Sequence, residues 1–280
     1  ATEKQMDDYW TVAIFGVDSR NGNIGKGTSA DTQILLTLNR ANGEIRLVSV
    51  YRDTLLMSNV KEGKCRKINS SYTEGGPEQA VTALNENLDL KIGDYVSFSW
   101  KAAADAVNLL GGIDMDITKA EYAYINAFIT ETVDSTGIPS VHLTGPGPAH
   151  LDGVQAVAYS RLRLMDTDMN RTERQRKVIE AVLEKLKQAD LPTINRLLET
   201  VLPQVATSID AGDFLELGKN AGNYHIVKTE GFPTVYKAAT LGKLGSCLIP
   251  NTLESNVTAL HEFLYEDQDY QNSDRVKEIG

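Results

Sequence analysis

The chain has 280 residues, 41% hydrophobic and 24% charged, with a formal net charge of −10. That composition is a soluble, globular one, long enough to bury about three quarters of the unfolded surface. It excludes general attraction to polyanions such as nucleic acid, which needs a basic surface, and no run of about 18 apolar residues is present to cross a bilayer.

No charged segment followed by an apolar core marks a signal peptide at the start. The chain opens on Ala1 rather than Met, and a membrane anchor upstream of it is an expectation. Cys65 and Cys247 lie far apart in sequence and are either a disulfide or two unrelated thiols. Two cysteines alone make no zinc site, and His142, His150, His225 and His261 show no ligand spacing.

In chain order, Thr11–Val17 (T-V-A-I-F-G-V) is predicted as a buried strand ending at Asp18-Ser19-Arg20. A loop with Gly22, Gly25 and Gly27 follows. Its string G-N-I-G-K-G-T lacks the spacing of a P-loop or of a dinucleotide fold, so a flexible loop is expected. Alternating runs at 33–38 and 45–50 flank Asn42-Gly43, a strong hairpin signal, and the second run ends at Tyr51-Arg52-Asp53-Thr54. Helices are expected at 77–88, with Pro in the first turn, at 101–110 and at 121–129, and strands at 95–98 and 113–117. Gly145-Pro146-Gly147-Pro148 breaks the chain before a short helix at 152–158. Further on, helical stretches are expected to about Val201, at 213–220 and at 255–265, with a strand at 224–227. Helices and strands interleave with no repeat and no long linker, which predicts an α/β fold: one domain, 9–266, with a central mixed sheet flanked by helices. Residues 1–8 and 267–280 read as flexible tails.

The densest chemistry lies between Tyr159 and Arg176, where Arg161, Arg163, Arg171, Arg174 and Arg176 crowd into an acidic chain. Arginine suits forked recognition of phosphate or carboxylate. Read as an extended segment, Tyr159, Arg161 and Arg163 share one face. Asn170 and Glu173 then resemble the start of a helix whose apolar stripe is Val178, Ile179, Val182, Leu183 and Leu186. Arg171, Arg174 and Gln175 fall on one side of its first turns, and Arg176 falls off that face. Arginine has the wrong sign for a helix N-terminus, and a bound anion would reverse the problem. The alternative is a solvated charged helix partnered by Asp166, Asp168 and Glu173.

Asp18 and Asp53 follow predicted strands and Asp31 precedes one, with Arg20 and Arg52 at the same places. Carboxylates near several arginines at strand ends suit a divalent ion bridging a polyphosphate. Equally, these aspartates could cap turns or pair with the arginines. No G-x-S-x-G elbow or signalled Cys–His pair supports nucleophilic hydrolysis.

Six blocks, in this order, resemble the LytR-CpsA-Psr family: G-V-D-S-R (16–20), A-D-T (30–32), V-S-V-Y-R-D-T (48–54), K-I-N (67–69), G-G-I-D-M-D-I (111–117) and Y-S-R-L-R…D-x-x-R-x-x-R-Q-R (159–176). The likeness covers roughly 10–180. It implies a single αβα sandwich holding a lipid chain in a hydrophobic pocket between sheet and helices. It also implies a membrane-anchored enzyme of Gram-positive bacteria, working outside the cytoplasmic membrane. Such an enzyme moves a glycopolymer (teichoic acid, capsule or similar) from a polyprenyl-pyrophosphate carrier to peptidoglycan, with Mg²⁺ or Mn²⁺. Residue by residue, the resemblance makes Asp18 and Asp31 metal ligands, and Arg52, Arg161, Arg163, Arg171, Arg174 and Gln175 pyrophosphate-binding. Arg20, Lys67 and Asp168 match motif positions with less defined roles; Arg20 and Lys67 join the pyrophosphate set, and Asp31 with Arg52 the catalytic one. Tyr51 stands where the family often has Pro, and the two cysteines lie outside the common pattern.

The reaction so implied is phosphoryl transfer, which asks a protein for positioning and charge neutralisation. A polyprenyl-pyrophosphate phosphatase and a non-catalytic pyrophosphate-binding or regulatory module are the rival readings.

Overall fold

In a computed structural model describing residues 2–19, 22–163 and 167–280, the expected strand at Thr11–Val17 is β1, Tyr9–Val17, preceded by α1, Thr2–Asp7. Then come β2 (Ala30–Asn39), β3 (Glu44–Val50), β4 (Leu55–Asn59), β5 (Lys64–Lys67), α2 (Asn69–Leu88) and β6 (Ile92–Ser99). After these follow α3 (Trp100–Leu109), β7 (Ile113–Ile117), α4 (Lys119–Thr136), β8 (Gly147–Leu151), α5 (Gly153–Arg161), α6 (Asp168–Lys187), α7 (Leu191–Val201), β9 (Val205–Thr207) and α8 (Ala211–Lys219). The last elements are β10 (His225–Phe232), β11 (Tyr236–Leu241), β12 (Gly245–Pro250), α9 (Leu253–Tyr265) and α10 (Asp274–Ile279). Two compact units make up the chain: one from the segments up to Asp18, Asn23–Ser97 and Tyr224–Gly280, the other built on Phe98–Asn223.

The first unit carries a mixed sheet in the order β10-β3-β2-β1-β6. β1, β2 and β3 are antiparallel neighbours, and β10 joins β3 in parallel. The predicted Asn42-Gly43 hairpin is present, with Gly43 at φ +78°, a backbone conformation that suits glycine. Apolar residues of one sheet face (Phe15, Leu35, Val48) pack with Tyr72 and Leu84 of α2 and Leu264 of α9 in one buried cluster. Residues from Asp267 on, expected to be loose, include α10 and bury Tyr270 and Val276. Apolar contact anchors that tail, which its mostly polar composition does not reveal. The hairpin pairs β4/β5 and β11/β12 carry no turn dipeptide strong enough to announce them. Cys65 is exposed, Cys247 is buried, and both are free thiols.

The second unit is helical around the antiparallel pair β7/β8, whose strands are joined through α4. Val107, Ile113, Ile125, Ile129, Val154 and Tyr159 belong to its core. Gly153 opens α5 against α3: a Cβ there would lie 1.9 Å from Ala104 O, so only glycine permits this approach. Helix α6 reverses the usual pattern. Its charged first half is buried at Arg171, Arg174, Gln175 and Arg176, whereas its apolar stripe at Val178, Ile179, Val182, Leu183 and Leu186 is only half-buried.

Candidate functional site

In the first unit the site begins at the end of the β1/β2 ladder. Register slips between Gly16 and Val17, so Val17 faces Ala30. That irregularity carries Asp18 just past the ladder, its N–H donating to Ser29 O at 3.3 Å, while Asp31 is the second residue of β2. Two carboxylates therefore come from neighbouring strand ends. Asp31 Oδ1 accepts from Arg52 Nη1 at 2.8 Å and from the Ser29 hydroxyl at 3.3 Å.

Arg52 sits in the turn after β3. Backbone bonds fix that turn: Tyr51 N–H to Phe232 O (2.9 Å), Thr54 N–H to Tyr51 O (3.0 Å) and Ile68 N–H to Thr54 O (2.8 Å). The same turn presents Asp53, whose carboxylate meets Lys67 Nζ at 3.0 Å and Arg52 Nε at 3.8 Å. Asp31, Arg52, Asp53 and Lys67 thus form an alternating-charge cluster with side chains 24–31% exposed. Ion pairs this open are worth at most about 1 kcal/mol. An incoming anion can therefore take the cations and a metal the carboxylates without a large penalty. Asp18 and Asp31 are the carboxylates here that could serve Mg²⁺, an ion that takes one or two carboxylates and completes its shell with water and phosphate. Among the described residues no group of three or more His, Cys, Asp or Glu is arranged for a metal.

The nearby glycine loop is tied down in places. Gly27 N–H donates to Thr73 O at 3.0 Å, the Tyr72 hydroxyl to Ile24 O, and the Thr28 hydroxyl to Gly25 O at 2.6 Å. Its expected freedom is limited by these bonds to α2. Arg20 lies outside the described residues.

In the second unit the expected extended segment is not found at Tyr159–Arg161, which forms the end of α5. Asp152 caps that helix by a reciprocal pair with Gln155, and the buried faces of Val154, Val157 and Ala158 carry it one turn beyond the expected end. Tyr159, Arg161 and Arg163 therefore do not share a strand face. Arg161 Nη1 donates to the Thr132 hydroxyl at 2.8 Å, Nη2 pairs with Glu131 at 3.1 Å, and the guanidinium lies 3.5 Å from the centre of the Trp100 ring. This stack and ion pair hold the group in one orientation. Arg163, two residues on, is exposed.

Helix α6 starts three residues earlier than the Asn170 cap expected from sequence. Thr167 is the cap, accepting from Asn170 N–H at 3.4 Å, and Asp168 supplies a favourable negative charge in the first turn. Asp168 also pairs with Arg171 Nη2 at 2.7 Å, which removes the apparent sign conflict at this helix end. Arg174 is buried. Its Nε donates to Glu121 Oε1 at 2.9 Å and its Nη1 to Leu162 O at 2.9 Å.

Glu121, Trp100, Glu131 and Thr132 are the site residues that sequence reasoning misses. Only Glu121 has a local signal, the T-x-x-E capping box with Thr118 at the start of α4. Burial pushes the Glu121 carboxyl up, but the Thr118 N–H, Arg174 and the Thr118 hydroxyl outweigh it and hold the group below the ordinary carboxylate value. Burial, aided by the adjacent Glu121 charge, pushes the Tyr159 phenol far up, so it stays a neutral hydroxyl.

The sequence profile of the LytR_cpsA_psr family matches residues 1–244. A relative in Enterococcus faecalis, the polyisoprenyl-teichoic acid–peptidoglycan teichoic acid transferase TagU, is 31% identical over 212 residues, covering 74% of this chain and 64% of that protein. TagV of Bacillus subtilis, a transferase of the same description, is 27% identical over 212 residues, covering 74% and 52%. The chain thus spans 52–64% of the length of these curated relatives. Among solved structures, TagT bound to LIIa-WTA superposes with a TM-score of 0.72 at 21% identity, covering 95% of this chain and 93% of that one. A Streptococcus agalactiae protein gives 0.74 at 24% identity, covering 98% and 92%. Likeness at these identities establishes a shared α/β fold.

Proposed function

Because the chain belongs to the LytR-CpsA-Psr family, we propose that it transfers a glycopolymer from a polyprenyl-pyrophosphate carrier to a peptidoglycan hydroxyl. The curated relatives are named as transferases of teichoic acid from polyisoprenyl to peptidoglycan, which supports teichoic acid or a similar anionic polymer as cargo. The observation that carries this reading is the Arg52–Asp31 pair, held by rigid strand ends yet open enough to exchange its partners. The half-buried aliphatics of α6 supply apolar surface of the kind a prenyl chain requires. Membrane anchoring and action outside the cytoplasmic membrane of a Gram-positive cell are part of the same proposal. No helix among the described residues is long and apolar enough to cross a membrane.

In this mechanism Asp18 and Asp31 would hold Mg²⁺, which when bound supplies charge neutralisation to the pyrophosphate. In the first unit Arg52 and Lys67 are the groups offered to phosphate, and in the second Arg161, Arg163, Arg171 and Gln175 are; Arg20 joins them by the family pattern. An acceptor hydroxyl oxygen attacks the phosphorus next to the sugar, and the bond from that phosphorus to the bridging oxygen breaks. Polyprenyl monophosphate leaves with that electron pair, and the hydroxyl proton passes to solvent or a nearby carboxylate. Arginines already held in place at charged oxygens cost little reorganisation as charge shifts to the leaving group.

Incubation with lipid-linked donor, Mg²⁺ and peptidoglycan fragments tests the proposal. A phosphodiester-linked product is the expected result. Free sugar phosphate would show water as acceptor and make the protein a phosphatase; intact donor would leave a binding module.

A further inference from the structure

Arg174 differs from its neighbours in what its guanidinium is already doing. Its side chain is 5% exposed and that of its partner Glu121 9%, whereas the equally buried Arg171 pairs with Asp168, which is 30% exposed. Glu121 is saturated from both sides: Oε2 accepts from Thr118 N–H at 2.9 Å and Oε1 from Arg174 Nε at 2.9 Å. One buried anion therefore joins α4 to α6. The other arm of Arg174 donates to the carbonyl of Leu162, the residue that ends α5 and directly precedes the exposed Arg163. A buried arginine neutralised in this way can reach a diphosphate only by leaving a carboxylate buried and unpaired, a far costlier exchange than at an exposed pair.

We propose that Glu121 and Arg174 are positioning residues: the pair fixes the carbonyl of Leu162 and so sets where Arg163 is presented to the diphosphate, while Arg174 itself does not bind it. The assignment rests on the diphosphate-binding reading above and divides the arginine cluster by role. Arg163 meets ligand. Arg174, on α6 with Gln175 and Arg171, holds the scaffold that aims it.

The test uses the full chain with farnesyl diphosphate and Mg²⁺ as probe, read by calorimetry, together with amide hydrogen exchange over Ser160–Arg163 without ligand. Glu121→Gln keeps the shape and removes the charge. It should weaken farnesyl diphosphate binding about tenfold and raise exchange at Leu162 and Arg163. Arg174→Gln should do the same, and Arg174→Lys, which keeps a cation for Glu121, should recover most of both. If Arg174 bound the diphosphate itself, removing the neighbouring negative charge in Glu121→Gln would leave affinity equal or tighter; that result overturns the proposal. Should Glu121→Gln fail to fold, Glu121→Asp keeps the charge and shortens its reach to Arg174, and unchanged exchange at Leu162 in that variant would likewise overturn it. Failure of the wild-type chain to bind farnesyl diphosphate would sink the functional reading instead, while the exchange measurement still decides the positioning role.

Discussion

Two arginine–carboxylate pairs in this protein have almost the same geometry and very different surroundings. Arg52 lies 2.8 Å from Asp31 with side chains 25% and 31% exposed, and Arg174 lies 2.9 Å from Glu121 with side chains 5% and 9% exposed. At the first pair, water competes with the partner and the net attraction is small. At the second, each charge has lost its water and depends on the other. Distance alone would give both pairs one role. Burial separates a pair that can exchange its partners for a ligand from one that fixes three helices to each other.

The sharpest way to break this contrast is through stability. Arg174→Ala should cost about 3–5 kcal/mol, since it strands a buried carboxylate, whereas Arg52→Ala should cost at most about 1 kcal/mol. Urea unfolding followed by circular dichroism measures both. Comparable losses at the two positions would abolish the distinction. Activity should invert the order of specificity: Arg52→Ala or Asp31→Ala is expected to lower transfer by at least about 10²-fold, the scale of one lost electrostatic stabiliser. Their unfolding midpoints should stay near wild type. Near-normal transfer in either variant would remove the pair from the reacting centre.

Sequence reasoning singles out Asp31, Arg52 and Arg174 but not Glu121, for a physical reason. Asp31, Arg52 and Lys67 sit at strand ends and turns, where polar residues interrupt apolar runs and stand out. The strands themselves were equally legible, because alternation and Asn42-Gly43 are local signals. Glu121 stands only as the first residue of an expected helix, and its link to Arg174 spans 53 positions with nothing local to announce it. The same limit produced the error at Tyr159–Arg161. Alternating apolar and polar residues suggested a strand, but the cap at Asp152 and the close α3 contact at Gly153 commit the segment to helix. Tertiary packing overrode a short periodic pattern.

Titration offers a subtler probe of the buried pair. The Glu121 carboxyl is depressed below its ordinary value in the folded protein. A depressed acid contributes stability that is present above the unfolded-state pKa, about 4.3, and lost as pH falls through the lower folded value. Stability should therefore drop in that acid window, and Glu121→Gln should flatten its share of the drop even though the variant is less stable at neutral pH. An unfolding profile with the same acid slope in both proteins would show that Glu121 is not held as a charged group.

The smallest effect belongs to a third pair, which tests whether burial or mere pairing matters. His150 Nδ1 lies 2.6 Å from Asp114, and its Nε2 lies 2.8 Å from Gly111 O; Lys185 reaches the other Asp114 oxygen at 2.8 Å. Both imidazole nitrogens face acceptors, so the protonated ring suits the site, and the Asp114 hydrogen bond with that of Gly111 raises the His150 pKa above 6.5 against the nearby Lys185 charge. A raised histidine contributes stability that is fully present below about 6.5 and is lost as pH rises through the folded value. His150→Gln should therefore be slightly destabilising near pH 5.5 and neutral near about pH 9. In an NMR titration, Asp114→Asn should bring His150 back toward about 6.5. Because His150 and Asp114 are both more than half exposed, the change should be far smaller than at Arg174. A loss rivalling that of Arg174→Ala would mean that pairing, not burial, sets the strength of these contacts.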